Sequence, residues 1–410
     1  MDRIIFHIDV NSAYLSWTSV ENLRRGSGPD LREMAAIIGG DESSRHGIVL
    51  AKSIQAKSFG IRTGEPVAAA RKKCPNLVIA SPNHALYSAC SRKLMEFLYS
   101  LTPDIEQVSI DECFLDFTGI AHRYPSPLDA AVLFKDTIRQ KFGFTVNVGI
   151  SSNKLLAKMA SDFEKPDKVH TLFPEEIPQK MWPLPVQELF MAGRSSVETL
   201  HKLGIRTIGD LARTDPELLE SHMKSHGRML WEYANGLEDS PVNSSPAEAK
   251  GIGNSTTLSK DVLTAGEARA VLLKLAESVS RRLQKAGMIA GNVCVEIKYS
   301  TFTRVSHQMA AEPPAASCQD IYRLSCRLFD ALWNGSPIRL LGIRAAKLMP
   351  ASAPRQLSIF DLEEQPKNEK QQKLDAALDS IRQKFGKDAV MRGSFLKEPG
   401  RHTSQKKSSR

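Results

Sequence analysis

The hydrophobic pattern of the first 170 residues alternates between short apolar runs and amphipathic segments. Short apolar runs bounded by polar residues or glycine predict buried strands. They lie at 4–9, 35–40, 47–51 and 145–150. Apolar residues that recur every three or four positions predict helices, with Leu23 and Leu133 on their apolar sides. These helices cover 14–23, 84–101, 127–142 and 154–163. We expect a sheet with helices on one face, which is an α+β fold.

Two different patterns follow in the rest of the chain. Short helices are predicted at 186–190, 196–203, 208–213, 216–224 and 229–235. A polar stretch with two prolines, 241–250, then has the composition of a linker. From 251 to 350 the order of predicted elements is βαββαβ, which indicates a second α+β domain.

Acidic residues stand where predicted strands end. Asp9 closes the first strand, and Asp111 with Glu112 interrupts the apolar run 108–117, which suggests a strand, turn and strand with acids at the tip. If these strands are neighbours, the three carboxylates converge, and such hard oxygen ligands suit Mg²⁺ bound together with substrate phosphates. An acidic pair in a hairpin more often lies in a solvated turn. The pair alone therefore does not establish a metal site, and further motifs are needed to favour one.

The charge of the chain permits a nucleic-acid partner. The 410 residues contain 55 Lys plus Arg and 46 Asp plus Glu, which gives a net charge of +9. The stretch 251–350 contains 13 basic and 7 acidic residues, so most of the positive excess lies there. A basic domain of this kind is expected where DNA is held.

Cysteine usage and hydropathy indicate the compartment. The six cysteines include no CxxC pair, so neither a zinc site nor a disulfide framework is indicated. The N-terminus lacks the features of a signal peptide, and no apolar run approaches the roughly 20 residues that cross a bilayer. We expect a cytoplasmic protein without a membrane partner.

Four short motifs follow one another along the first half of the chain. They are DVNSAY at 9–14, SIDE at 109–112, VGISSNK at 148–154 and EKP at 164–166. As a set they resemble the Y-family, or translesion, DNA polymerases, and most of all the DNA polymerase IV branch. The resemblance extends to residue 350 and implies a right-hand polymerase. Its parts would be a palm at 1–10 and 82–170, small fingers at 11–81, a helical thumb at 171–240, the linker 241–250 and a little finger at 251–350.

The resemblance implies template-directed, low-fidelity DNA synthesis that bypasses lesions in DNA repair. A monomer would add dNTPs to the primer 3' end of primer-template DNA. Asp9 and Asp111 would bridge two Mg²⁺ ions, the Val10 carbonyl would complete one coordination shell, and Glu112 would hold metal near the primer 3'-hydroxyl.

The nucleotide site is assigned partly from local structure. A strand-to-helix junction offers unpaired backbone amides to a triphosphate. Asn11, Ser12, Ala13 and Tyr14 occupy that junction, and the resemblance makes Tyr14 a steric gate against ribonucleotides. Lys165 matches the triphosphate lysine of the family.

The predicted fingers depart from the family pattern. Where many relatives have Tyr and, three residues later, Arg, this chain has Ile54 and Lys57. Lys57 keeps the positive charge but loses the bidentate fork of arginine. Ile54 donates no hydrogen bond, which leaves Ser53 as a substitute donor.

In the predicted thumb, LGIRTIGDL at 203–211 resembles a helix-hairpin-helix. Its glycines would let backbone amides approach a DNA phosphate.

A final motif follows the predicted little finger. The stretch 356–360, QLSIF, resembles the peptide with which bacterial polymerases bind the sliding clamp, with Gln356, Leu357, Ile359 and Phe360 as its binding residues. Apolar side chains in such a segment are typical anchors for a partner's pocket. The tail 351–410 also contains a helical pattern at 371–386 without an assigned role.

Two other functions fit parts of the pattern. A nucleotidyl cyclase-like palm enzyme also uses metal-bound acids but needs no template. A clamp-bound DNA-binding accessory would bind duplex without turnover. The polymerase is favoured because the motifs of all its domains occur in the expected order.

Overall fold

The computed structural model describes residues 3–41, 45, 47–245 and 248–352, with isolated positions 377, 381, 384, 385 and 389. The chain divides into two compact units, Met1–Pro246 and Ala247–Arg410. Both units combine helices with sheets, so the α+β prediction is confirmed. The clamp peptide 356–360 lies outside the described residues, as does the helical pattern 371–386 apart from single positions.

A five-stranded sheet forms the centre of the first unit. Its strands are β1 (Ile5–Val10), β5 (Ile105–Gln107), β6 (Glu112–Asp116), β7 (Val146–Ser151) and β8 (Val169–Thr171). Their order is β5-β6-β1-β7-β8, so the strand that ends near Asp9 lies beside the strand that begins at Glu112. The convergence of these two predicted strands is thereby confirmed.

Helices cover both faces of this sheet, which corrects the expectation of one face. They are α1 (Ala13–Arg25), α4 (His84–Tyr99), α5 (Pro127–Phe142) and α6 (Lys154–Asp162). The first three share a core with Phe6, Ile8 and Val10. Helix α6 packs on the other face, where Ala157 contacts Ile5. The nearly continuous apolar run of β1 up to Asp9 is the pattern of a strand buried on both faces, and it was the available signal for this second layer.

One glycine allows α6 to lie unusually close to the sheet. A Cβ atom added to Gly149 of β7 would lie 1.9 Å from the carbonyl oxygen of Ala157 and 2.5 Å from the amide nitrogen of Ser161. Both are backbone atoms of α6, so any larger residue at 149 would push the helix away.

Two apolar residues do not lie where the helical pattern placed them. Leu23 and Leu133 are 51% and 53% exposed, although both were assigned to apolar helix sides. Buried positions of α1 instead include Leu15 and Trp17, so its core-facing stripe ends before Leu23.

The remainder of the first unit has a small sheet and a helical region. The small sheet contains β2 (Ala36–Gly39), β3 (Val49–Lys52) and β4 (Val78–Ala80), in the order β3-β2-β4, and it packs with α2 (Ile54–Ser58) and α3 (Val67–Lys73). The helical region contains α7 (Ile177–Lys180), α8 (Arg194–Lys202), α9 (Ile208–Arg213), α10 (Pro216–Met223) and α11 (Ser225–Ala234). These helices share a separate core with residues of α6, including Leu156.

The second unit has the predicted βαββαβ order. Its elements are β9 (Gly251–Val262), α12 (Ala265–Lys285), β10 (Met288–Tyr299), β11 (Arg304–Ala315), α13 (Cys318–Leu332) and β12 (Ile338–Pro350). The strand order is β11-β10-β12-β9, and both helices share one core with the sheet. Within residues 248–352, no helix covers the other face of the sheet.

Candidate active site

Two of the three candidate acids are direct partners across neighbouring strands. Asp9 of β1 faces Glu112 of β6 in antiparallel register. Residues directly opposite in such a pair project from the same face of the sheet, with Cβ atoms about 5 Å apart. Asp111 lies in the turn before β6, and its carbonyl accepts a 3.0 Å hydrogen bond from the amide of Val10. All three acids therefore belong to one end of the β1–β6 pair.

The electrostatics of Asp111 reflect this crowding of carboxylates. Its pKa is raised chiefly by burial, and the negative charges of Asp9 and Glu112 raise it further. A 2.6 Å hydrogen bond from Ser109 to its Oδ1 opposes this shift. A cation at this place would relieve the repulsion, and carboxylate oxygens are the donors that Mg²⁺ prefers. The donor set therefore fits a divalent metal.

Two of the three acids, one on each neighbouring strand, are ion-paired with lysines. Lys165 is ion-paired with Asp9, and the Nζ atom of Lys158 lies 2.9 Å from Oε2 of Glu112. Among the described residues, no three Asp, Glu, His or Cys side chains are already gathered as the ligands of one metal ion. Metal binding would therefore require the lysines to move from these acids.

A buried histidine contacts Glu112. The Nδ1 atom of His7 is 2.8 Å from the Ser161 hydroxyl, and its Nε2 atom is 3.4 Å from Oε2 of Glu112, which is a weak polar contact. Contact with His7 and then with Lys158 lowers the pKa of Glu112 to about 2. Burial lowers the pKa of His7 itself. Glu112 is therefore ionised at neutral pH and available to a cation.

The predicted nucleotide junction forms, although Asn11 is already engaged. The buried Asn11 side chain donates to Asn147 Oδ1 at 3.0 Å and accepts from the Asp167 amide at 2.9 Å. Ser12 precedes α1 with φ 46°, in the left-handed region. The first amides of α1, from Ala13 onward, have no acceptor within the helix, which is the arrangement that favours an anion.

Tyr14 lies at the start of α1, within reach of the acids. Its ring stacks on Tyr87 with centroids 4.3 Å apart, and His84 approaches edge-on at 6.2 Å. Burial raises the pKa of Tyr14, and the charge of Asp111 raises it further. The ring is therefore held in a fixed orientation by its aromatic neighbours, where the charge of Asp111 acts on it.

The two candidates near Ile54 have different surroundings. Ser53 is buried, and its Oγ accepts hydrogen bonds from the amides of Ala36 and Ala56 at 3.1 and 3.0 Å. This serine is the N-cap of α2, a structural role that the sequence did not indicate. Lys57 is exposed, and its charge contributes to the lowered pKa of Lys52, of which burial is the main cause. Ile54 is 59% exposed.

The amides of the predicted helix-hairpin-helix are not available as expected. Gly204 donates to the His201 carbonyl at 3.1 Å, and Gly209 donates to the Trp182 carbonyl at 2.9 Å. Every other backbone N–H of 203–211 also has an acceptor in the protein. A contact of these glycine amides with a DNA phosphate would require them to leave or share these acceptors, and it stays a prediction.

Sequence reasoning missed three residues of the site: His7, Lys158 and Asp162. Lys158 and Asp162 stand one helical turn apart on α6, an i,i+4 pair that is usually a solvated one. His7 lies on the same face of β1 as Asp9, so alternation along the strand was the only available signal.

Comparison with known proteins identifies the class. A solved Y-family DNA polymerase chimera has a TM-score of 0.73 with this chain at 21% identity, and the match covers 84% of this chain and 99% of the chimera. The fold is therefore that of a Y-family DNA polymerase. Residues 8–162 match the model of the impB/mucB/samB family, and residues 249–359 match that family's C-terminal domain.

Curated relatives define the branch. The chain is 46% identical to DNA polymerase IV of Clostridium acetobutylicum over 97% of this chain and 99% of the relative. It is 34% identical to DNA polymerase IV of Alkaliphilus oremlandii over 97% of this chain and 100% of the relative. The chain belongs to the DNA polymerase IV branch of the impB/mucB/samB family. No helix among the described residues is long and apolar enough to cross a membrane.

Proposed function

We propose that Asp9, Asp111 and Glu112 carry nucleotidyl transfer in this chain. It is a DNA-directed DNA polymerase of the translesion type, which extends a primer with dNTPs in damage tolerance. The observation that carries the assignment is the pairing of Asp9 with Glu112, with Asp111 in the adjoining turn. Two Mg²⁺ ions held there would activate the primer 3'-hydroxyl and neutralise the leaving pyrophosphate.

The residues around the acids complete the proposed site. The acids and the Val10 carbonyl provide oxygen ligands, and Glu112, with its pKa lowered to about 2, stays ionised. The amides of Ser12 and Ala13 at the start of α1 face the triphosphate, and Lys165 leaves Asp9 to neutralise its charge. Lys57 adds a further positive charge, and Tyr14 excludes a ribose 2'-hydroxyl.

The domain assignment follows from this site. We assign the five-stranded sheet to the palm, the small sheet to the fingers, α7–α11 to the thumb and the second unit to the little finger. The chain acts as a cytoplasmic monomer. Its six free cysteines suit that reducing compartment. Gln356, Leu357, Ile359 and Phe360 bind the sliding clamp.

Primer extension tests the catalytic assignment. Asp111→Ala and Glu112→Ala should each reduce extension in Mg²⁺ by at least about a hundredfold, since metal-assisted charge stabilisation supplies several kcal/mol. Binding to primer-template DNA should stay within about twofold, because the little finger provides most of the basic surface. Glu96→Ala, which removes an exposed carboxylate from α4, is the control and should extend normally.

The same assay separates the other functions. Extension by either acid variant at the wild-type rate would refute the assignment. Wild-type protein that binds duplex without turnover would be a clamp-bound accessory. Conversion of nucleoside triphosphate without any template would indicate a cyclase-like enzyme.

A further inference from the structure

Asp162, the last residue of α6, joins the two lysines of the site. Its Oδ1 atom is 2.8 Å from the Nζ atom of Lys165, and its Oδ2 atom is 3.5 Å from the Nζ atom of Lys158. Each lysine also contacts one candidate metal ligand, Lys165 on Asp9 and Lys158 on Glu112. Acidic and basic groups therefore alternate along a continuous chain from Asp9 to Glu112, with Asp162 at its centre.

We propose that Asp162 is a positioning residue that gives both lysines a second carboxylate, so that they can leave Asp9 and Glu112 when metal and nucleotide bind. This inference rests on the proposed function. When a divalent cation takes the two ligands, each lysine still has an acidic partner. Lys165 then stays near the acids, where it can meet the triphosphate of the incoming nucleotide.

A role in stability does not account for Asp162. Its side chain is 48% exposed, and ion pairs of exposed carboxylates contribute little to folding. The packing of α6 is instead determined by the close approach at Gly149 and by Asn153, whose side chain caps the helix at the Leu156 amide. The contacts of Asp162 therefore determine the positions of the two lysine charges and contribute little to stability.

The balance of charge gives the direction of the effect. Three carboxylates, those of Asp9, Glu112 and Asp162, face two lysines in this network. Without the charge of Asp162, the lysines would pair with Asp9 and Glu112 alone and would compete more strongly with a divalent cation. Loss of this carboxylate should therefore weaken metal binding before any chemistry occurs.

Binding of Mn²⁺ to the full chain without DNA or nucleotide tests this inference. Free Mn²⁺ is measured by electron paramagnetic resonance during a titration. Asp162→Asn should weaken Mn²⁺ binding by roughly two- to fivefold, the range that partly exposed charge pairs give. In primer extension, the same variant should raise the KM for dNTP by a similar factor and change kcat less, with an unchanged melting temperature.

Two variants control for charge and for shape. Glu164→Gln removes a nearby negative charge that pairs with Lys168 instead, at 3.5 Å, and it should bind Mn²⁺ as the wild type does. Asp162→Glu keeps the carboxylate and should restore binding to within about twofold. Equal weakening by Glu164→Gln would show a general field effect and would overturn the proposal, as would an Asp162→Glu variant as weak as Asp162→Asn.

The wild-type titration distinguishes failure of the inference about Asp162 from failure of the proposed function. If the wild type binds Mn²⁺, and Asp162→Asn binds it equally with an unchanged KM, the inference about Asp162 is wrong while the catalytic assignment stands. If the wild type neither binds Mn²⁺ nor extends a primer, the proposed function itself fails.

Discussion

Gly149→Ala should be among the most damaging single-methyl changes in the first unit. The new Cβ would lie 1.9 Å from the Ala157 carbonyl oxygen, about 1.5 Å short of the 3.4 Å at which ordinary contact begins. The second clash, at 2.5 Å, is with the amide of Ser161, so neither clash can be relieved by a side-chain rotation. Overpacking of this kind costs about 3 kcal/mol, the upper part of its usual range.

Urea unfolding measures this cost. With an m value of about 3 kcal/mol/M for a unit of this size, the midpoint of the first unit should fall by about 1 M. The displaced α6 would also shift Asp162, the proposed positioning residue at its end, so the variant should extend primers more slowly even where it is fully folded. DNA binding by the second unit should persist.

Gly119→Ala is the matched control for this variant. A Cβ at Gly119 meets nothing within 4 Å, so its unfolding midpoint should stay within about 0.2 M of the wild type, as for most surface substitutions. A midpoint for Gly149→Ala that equals that of Gly119→Ala would refute the reasoning that α6 lies against the sheet at this distance.

Two further predictions concern the nucleotide and the clamp. Tyr14→Ala should raise incorporation of ribonucleotides relative to dNTPs by at least about tenfold, which corresponds to 1.4 kcal/mol of lost discrimination, whereas Tyr14→Phe should not. Primer extension with matched rNTPs and dNTPs measures the ratio, and an unchanged ratio would exclude the gate. Replacing Leu357 and Phe360 by Ala should abolish clamp-dependent stimulation of extension and leave clamp-free extension unchanged, and stimulation that persists would count against the peptide.

Local sequence signals predicted most of the helices and strands correctly. The helix predicted at 127–142 has the same bounds in the structure. The reasons are local, because Ser126 accepts a hydrogen bond from the Asp129 amide, Pro127 begins the helix and Gly143 follows its end with φ 80°. The βαββαβ order of the second unit was equally predictable, since its helices are long and periodic.

Short elements were predictable only in part. The strands β4 and β8, three residues each, were missed. Strand β8 forms by parallel pairing with β7, a contact between residues about 20 positions apart. Tertiary pairing, not local preference, decides such strands.

The acids of the site and their charge partners differ in how far sequence could predict them. The ordered set of four motifs singled out Asp9, Asp111 and Glu112, whereas an acidic pair alone would have been taken for a solvated turn. Lys158 gave no such signal, since a lysine on a short helix usually points into water. It contacts Glu112, 46 residues away, only because α6 lies against the sheet at Gly149. The missing information was therefore the distance between the backbones of α6 and β7. Gly149 determines that distance, and the polarity pattern of α6 does not indicate it.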